Sequence, residues 1–457
     1  MSRRVHLVGI GGAGMSAIAS VLLGRGEQVT GSDRTRSPYT DALAQQGVQI
    51  AFGHHAENVT GADLVVASSA VPDDNVELQA ARKQGIPVSR RAEFLGEMTQ
   101  GFRTIAVAGT HGKTTTTGMI AWMLEQDGRS PTFIVGGMLP DLGGNARAGK
   151  GSEFVIEADE YDHTFLGLHP DIAVVTNVEL DHPDCYPTYE DFERAFVQFA
   201  DQVGSMLFVC RDDPGAMALE PAQAERRTYG LTPSADLHAE DVRPNPAGGS
   251  DFLALRGEET LGLVRIRLPG EHNVRNALAS LAVSEYLGID FRVSREALTD
   301  FHGAGRRFEI KGRAGGVTVV DDYAHHPTEI RATLAAARGR FKEGEIWAVF
   351  QPHTYSRLRA LEAEFATAFA DADHVIVTEV FPARESVDPD YGGKQIAALI
   401  SHPDVEFVSD FDQLAGELAR KVQSGDVVIT LSAGDGNLVG ERLLEILNRN
   451  EGEGDHG

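Results

Sequence analysis

The run Gly109-Thr110-His111-Gly112-Lys113-Thr114-Thr115 carries the plainest chemistry in this sequence. It follows an apolar, β-branched stretch at residues 104–108 and opens a helical segment at 116–126. In such a loop the backbone N–H groups point inward and the helix dipole adds positive potential, so the loop binds phosphate. Lys113 is placed to reach the β- and γ-phosphates of a nucleotide, and the Thr114 hydroxyl to ligate Mg²⁺. The loop is one residue shorter than the usual eight-position pattern. A glycine turn with an exposed lysine is the bland alternative. Strand, loop, Gly-Lys-Thr and helix arrive together, and that combination reads as ATP binding.

A second glycine loop, Gly9-Ile10-Gly11-Gly12-Ala13-Gly14, follows the first strand, and Asp33 closes the second strand. This is the arrangement in which a pyrophosphate sits on a helix N-terminus and a carboxylate takes a ribose. Any nucleotide diphosphate meets that requirement, so NAD and a UDP-linked substrate both fit, as does a purely structural turn. Residues 154–156 form another apolar strand, ending in Glu157, Ala158, Asp159 and Glu160. A carboxylate at such a strand end faces the metal on the nucleotide, which favours Glu157 as a direct ligand. Asp159 and Glu160 are either its neighbours or a solvated loop. The run Thr176-Asn177-Val178-Glu179-Leu180-Asp181-His182 ends a further buried strand, making His182 a candidate metal ligand beside Asp181. Asn273 and Asn276, three apart on a helix start, share a face and either read an adenine edge or cap the helix.

The last third holds Arg306-Arg307-Phe308-Glu309, then Asp321-Asp322-Tyr323-Ala324-His325-His326-Pro327, then Gln351-Pro352-His353-Thr354-Tyr355-Ser356-Arg357. An arginine from the first group near a phosphate would stabilise charge on a transferring phosphoryl group. The pair His325-His326 with Glu329 lacks the His-x-x-x-His spacing and has Pro327 inside it, which argues against zinc there.

Short strands alternating with helices position all of these groups, the pattern of parallel α/β sheets. It restarts twice, giving three units: a Rossmann-like domain at 1–101, a phosphate-loop domain at 102–310, and a Rossmann-like α/β domain at 311–449. A polar tail follows at 450–457. Residues 227–268 change to short, turn-punctuated segments, expected to form a small β appendage on the second unit. The 457-residue length accommodates three domains. Acidic residues outnumber basic ones by 67 to 41, giving a net charge of −26, which disfavours binding to nucleic acid or an anionic membrane. Two cysteines, Cys185 and Cys210, make no disulfide framework or zinc site. No apolar run is long enough to insert in a membrane, and the N-terminus reads straight into a strand. These features predict a soluble, cytoplasmic protein.

The motifs in this order resemble the Mur ligase superfamily of ATP-dependent amide-forming enzymes. GTHGKTTTT at 109–117, EADEYD at 157–162, TNVELDH at 176–182, EHNVRNALA at 271–279, DDYAHHPTE at 321–329 and FQPHTYSR at 350–357 carry the resemblance across essentially the whole chain. The first loop, VGIGGAGMSAIA, points to the member that attaches the first amino acid. The resemblance implies that the first domain holds a UDP-sugar, the second ATP, and the third the amino acid. It implies that the lactyl carboxylate of UDP-N-acetylmuramate takes the γ-phosphoryl group of ATP and that the amine of L-alanine attacks the acyl phosphate. ATP and Mg²⁺ are the implied cofactors.

Carried over by motif, Gly109, Thr110, His111, Gly112, Lys113, Thr114 and Thr115 cradle the phosphates. Thr114 and Glu157 bind one Mg²⁺ and His182 a second. Asn273 contacts adenine, Asp322 the ribose and Arg306 the phosphates. Tyr323, His325, His353 and Arg357 lie near the alanine, with Arg357 a candidate for its carboxylate. Gly11, Gly12, Asp33 and Ser69 line the UDP-sugar site. Lys113, His182, Arg306 and His325 are the expected catalytic set.

In one respect the chain departs from the pattern. Several members orient the second metal with a carbamylated lysine on the helix after TN–DH. Here no lysine occurs between Lys150 and Lys311, and Arg194 and Gln198 occupy that helix. The alternatives are an oxidoreductase that uses the first loop for NAD, a non-catalytic ATP-driven binding module, and the recycling ligase of the same superfamily, which attaches an intact peptide.

Overall fold

Val5, Leu7 and Val8 are fully buried because the strand that carries them, Arg4–Val8, lies at the centre of a parallel sheet covered on both faces. Gln28–Asp33 and Leu64–Ala67 flank it, with Gln49–Phe52 and Val88–Arg90 at the edges. The computed structural model describes residues 2–454. The edge strand Gln49–Phe52 has no fully buried residue, so its sequence carries little alternation to predict it from.

The second sheet has ten strands. Arg103–Ala108, which feeds the phosphate loop, pairs in parallel with Glu153–Glu157 on one side and Ile172–Val175 on the other. The loops that follow all three strands therefore emerge at one edge, where open α/β sheets bind ligands. Met206–Cys210 extends the sheet, and Glu225–Gly230 pairs with it in parallel. The segment expected as a β appendage is a continuation of the same sheet. Leu237–Pro244 joins Glu225–Gly230 through Tyr229↔Leu237 and Gly230↔His238, and Ser250–Arg256 and Glu259–Ile266 complete it in antiparallel fashion.

The third sheet runs in the order Glu309–Ala314, Val317–Asp322, Val427–Leu431, Ile346–Phe350, His374–Val377, Val405–Phe407. Only the first pairing is antiparallel. That first strand begins at Glu309, so a division at 310/311 would cut through it. The expected tail is not loose at its start, because the helix Asn437–Gly454 continues through it and Glu451 accepts the Gly315 N–H at 2.7 Å. Residues 455–457 of that tail lie outside the described residues. No helix among the described residues is long and apolar enough to cross a membrane.

One apolar cluster runs without a break from Leu7, Ile18 and Leu22 of the first domain to Ala106, Phe154, Phe165 and Phe199 of the second. The clusters of the third domain begin at Phe308 and include nothing earlier in the chain.

Candidate active site

Gly109 and Gly112 both have positive φ, 127° and 82°, a region that side chains avoid. A Cβ on Gly109 would lie 2.0 Å from Thr176 Oγ1, and one on Gly112 2.6 Å from Asn276 Oδ1. The loop is thus pressed between the strand that precedes it, the TNVELDH turn and the helix Glu271–Tyr286. Thr176 and Asn177 hold it by donating to the His111 carbonyl at 2.6 and 3.1 Å, while Asn177 Oδ1 accepts the His111 N–H at 2.8 Å. Gly112 then caps Lys113–Gln126, leaving the helix N-terminus open to an anion.

Lys113 Nζ donates to the carbonyls of Gly109 and Thr110 and to Glu160 Oε1 at 3.0 Å, and lies 2.8 Å from Glu160 Oε2. Burial disfavours the ammonium charge, yet Glu160 beside it holds the pKa above the usual lysine value. Thr114 Oγ1 donates to Glu157 Oε1 at 2.9 Å, and the Gly136 N–H to Glu157 Oε2 at 2.6 Å. Burial raises the Glu157 carboxyl above its ordinary range. Thr114 and Glu157 therefore present hard oxygens to one point, as Mg²⁺ requires.

Glu160 is the residue that sequence reasoning undervalued. It is fully buried, clamped between Lys113 and His182, whose Nε2 lies 3.3 Å from Glu160 Oε1. Its Oε2 is buried with no hydrogen bond. Burial pushes this carboxyl up, but Lys113 and His182 hold it below the ordinary value. Oε2 lies against the Lys113 ammonium and Oε1 against both Lys113 and His182, an ionised carboxylate beside a histidine that suits a cation once Lys113 turns to a phosphate. No sequence signal separated Glu160 from a solvated loop, because its burial comes from strands distant in the chain. Arg194, on the helix where related enzymes place a lysine, pairs outward with Asp191.

A cleft of about 340 Å³ opens from the phosphate loop, between the second and third domains. His111, Thr114, Asn273, Asn276, Arg307 and Asp322 are among its lining residues. Asn273 donates to the Pro269 carbonyl at 2.8 Å and accepts from Asn276, while Gly270 caps the helix. Asp322 accepts the N–H groups of Phe308 and Ala324, each at 2.8 Å, and burial raises its carboxyl to about 6.

Arg306, expected at the phosphates, is engaged within the third domain in this structure. Its Nε donates to Asp321 at 2.8 Å, and its two terminal nitrogens to the carbonyls of Gly434 and Ser432, each at 2.9 Å. The guanidinium is consumed inside the third domain. Its neighbour Arg307 lines the cleft instead, 5.0 Å over the Tyr323 ring and 3.7 Å from Glu329. Two adjacent arginines cannot be told apart by spacing; the φ of 59° at Arg306 turns them in different directions.

Arg357 also differs from expectation. Its Nε donates to Asp181 at 2.8 Å and its Nη1 contacts His353 Nδ1 at 3.0 Å. Both partners of the pair are almost fully buried, Arg357 at 3% and Asp181 at 5% exposure. It ties the third domain to the TNVELDH turn, so at most part of its guanidinium faces a ligand. His325 Nδ1 lies 2.8 Å from the Tyr323 carbonyl, an acceptor, so Nδ1 carries the ring proton. Burial lowers the His325 pKa to about 4, keeping the ring neutral at pH 7 with Nε2 unprotonated. His353 stacks on Phe381 and meets His325 edge-on at 5.4 Å.

In the first domain, Asp33 Oδ2 accepts the Gly11 N–H at 2.8 Å, and Gly12 caps the following helix without a side chain. Ser69 is exposed in the turn after Leu64–Ala67, next to Ser68, whose Cβ would meet a Cβ on Gly9 at 3.0 Å. The residues expected at the UDP-sugar site thus lie on and beside one glycine loop of the first domain.

Three profiles of one family match the chain: Mur ligase family, catalytic domain, over residues 4–103; Mur ligase middle domain over 107–284; and Mur ligase, glutamate ligase domain, over 306–434. The chain is similar to the UDP-N-acetylmuramate–L-alanine ligase of Roseiflexus sp. (strain RS-1), at 47% identity covering 97% of this chain and 99% of that protein. The same-named ligase of Geobacter sp. (strain M21) is 46% identical, covering 96% and 97%. Among solved structures, the UDP-N-acetylmuramate–alanine ligase of Thermotoga maritima superposes with a TM-score of 0.82 at 30% identity, covering 98% and 99%. A murein peptide ligase from Psychrobacter arcticus gives 0.72 at 26%, also covering 98% and 99%.

Proposed function

The chain belongs to the Mur ligase family, and on that premise we propose that it joins L-alanine to the lactyl carboxylate of UDP-N-acetylmuramate at the expense of ATP, in peptidoglycan precursor synthesis. The observation that carries the reading is the cleft itself. A phosphate loop on the second domain faces Arg307, Asp322 and Glu329 of the third, while a separate glycine loop lies on the first.

The triphosphate of ATP sits on the N–H groups at the start of Lys113–Gln126, with Lys113 and Arg307 on either side of the transferring phosphoryl group. For Lys113 this means leaving the carbonyls of Gly109 and Thr110 for the β- and γ-phosphates. Asn273 and Asn276 take the adenine end, and Asp322 the ribose. The donor set fits Mg²⁺, with Thr114 and Glu157 at one position and Glu160 and His182 at the other, which supplies the second position without a lysine. Mg²⁺ would neutralise phosphate charge there.

The lactyl carboxylate attacks the γ-phosphorus, ADP leaves, and a mixed carboxylic–phosphoric anhydride results. The amine of alanine then attacks the carbonyl carbon, and expulsion of inorganic phosphate completes the amide. The attacking nitrogen must shed a proton, and His325 Nε2, neutral and unprotonated, is the group we assign to accept it. Tyr323 and His353 shape the alanine pocket around it. Gly11, Gly12, Asp33 and Ser69 hold the UDP-sugar. A cytoplasmic location belongs to the same proposal.

The test is phosphate release from Mg·ATP and UDP-N-acetylmuramate with L-alanine, glycine, L-serine, the murein tripeptide or no acceptor. Release requiring both the UDP-sugar and L-alanine is expected. Release with the tripeptide alone would assign the chain to the peptide-attaching relative, a fold it also matches. Retained ATP binding with no release under any condition would overturn the assignment.

A further inference from the structure

Two histidines and a glutamate from two domains converge beside the phosphate loop and are used by none of the steps above. His111, on the loop, and Glu179, in the TNVELDH turn, come from the second domain; His326 comes from the third. Their donor atoms all lie within 4.8 Å of one another. His326 is 1% exposed and its Nε2 is buried with no hydrogen-bonding partner, which is costly unless something occupies the position.

We propose that His111, Glu179 and His326 form an interdomain site for a borderline-soft divalent metal of the Zn²⁺ or Co²⁺ type, distinct from the Mg²⁺ positions at Thr114–Glu157 and Glu160–His182. Two imidazoles and one carboxylate with room for a fourth ligand are a donor set that such ions favour over Mg²⁺. The outer partners are in place for two of the three. Glu329 Oε1 lies 3.1 Å from His111 Nδ1, fixing that ring with Nε2 toward the centre, and Thr328 Oγ1 donates to Glu179 Oε1 at 2.6 Å. Carboxylate-oriented histidine and a hydrogen-bonded carboxylate are the supports that metal ligands need.

The metal replaces the proton that His111 Nε2 now shares with Glu179 Oε2 across 3.0 Å. It also requires His326 to carry its own proton on Nδ1. That gives up a long 3.3 Å bond from the Thr328 N–H and frees Nε2 as a donor. Because His326, Thr328 and Glu329 lie on the third domain, the ion would fasten that domain onto the phosphate loop. A bound ion would slow opening of the cleft and hence turnover.

The experiment is equilibrium dialysis of Zn²⁺ against the full chain in excess Mg²⁺, without nucleotide or sugar, with Co²⁺ absorption as the coordination readout. It is run on the wild type, His326→Gln and Glu179→Gln. The wild type should bind one Zn²⁺ more tightly than either variant by at least about tenfold, as loss of one ligand demands. Its Co²⁺ complex should show the intense visible bands of a four-coordinate site, absent from both variants. Glu179→Gln leaves the cap of the His326 helix untouched, and thermal melting of each metal-free variant identifies any that is unfolded. Equal Zn²⁺ affinity in wild type and a folded variant overturns the site. So does a weak, six-coordinate Co²⁺ spectrum. Neither result bears on ligase activity, which is measured separately.

Discussion

The two domain junctions of this molecule are built from opposite materials. Between the first and second domains the chain buries one continuous apolar cluster, and backbone meets backbone: a Cβ on Gly96 would lie 2.3 Å from the Gly167 carbonyl, and one on Gly167 2.2 Å from that of Ala92. Between the second and third domains the ties are polar. Arg357–Asp181, His111–Glu329, Thr328–Glu179 and Arg384–Asp184 cross it, and among the described residues no apolar cluster does. A hydrophobic junction holds two domains as one body, whereas a charged one can be broken and remade as partners exchange with ligands. The cleft beside the phosphate loop lies at the second kind. The difference makes the first junction rigid and leaves the second able to open.

The largest expected effect comes from removing charge at the polar junction's cleft. Lys113→Ala should lower turnover by about a thousandfold or more, the scale of losing a preorganised transition-state charge, while UDP-sugar affinity stays near wild type. Titration calorimetry with the UDP-sugar and phosphate-release kinetics separate the two. Equal loss of both would break the placement of the sites in different domains.

Asp181→Asn comes next. It strands the buried Arg357 guanidinium, a loss of about 3–5 kcal/mol when one partner of a buried pair is removed. The cost should fall on docking of the third domain, so kcat drops by about a hundredfold or more with the melting of the first two domains unchanged. A uniform loss of stability across the chain would mean that the junction is as rigid as the apolar one.

Gly96→Ala tests the other junction. Its new methyl would meet backbone that cannot yield, costing about 1–3 kcal/mol by overpacking. The melting temperature should fall while the KM for ATP is unaltered; a changed KM would couple the two junctions.

The smallest effect is on pH. Burial disfavours charge on His111, but Glu179 and Glu329 raise its pKa to about 9 from the ordinary 6.5. Its contribution to domain docking is therefore complete below about pH 6.5 and disappears as pH rises through about 9. Small-angle scattering across that window should show the third domain loosening. Glu329→Gln should weaken the dependence, and the double change with Glu179→Gln should remove it.

Much of the site was legible because its chemistry is written in contiguous residues. The phosphate loop, Glu157 and Asp322 each sit at the end of an apolar strand, and His182 closes the turn after one; strand ends meet at one edge of a parallel sheet. Arg306 was not told from Arg307 because neighbouring residues of one type are equivalent in a pattern; only the backbone turn decides which faces the cleft. How the β appendage joins the second unit was not legible for a related reason. Alternation predicts strands but says nothing about which free edge they will extend.

Three α/β units, two glycine loops and the order of the motifs were thus legible from composition and spacing, because local propensity and glycine placement act over a few residues. What required the folded chain is every pairing between distant segments. Glu160 became a buried carboxylate by lying between Lys113 and His182, Arg357 a fastening by meeting Asp181, and His326 a buried ring with an unpartnered nitrogen by packing at a tilt on His111, 4.7 Å between centroids. Charge and burial are properties of a neighbourhood, and the neighbourhood exists only after the domains close on one another.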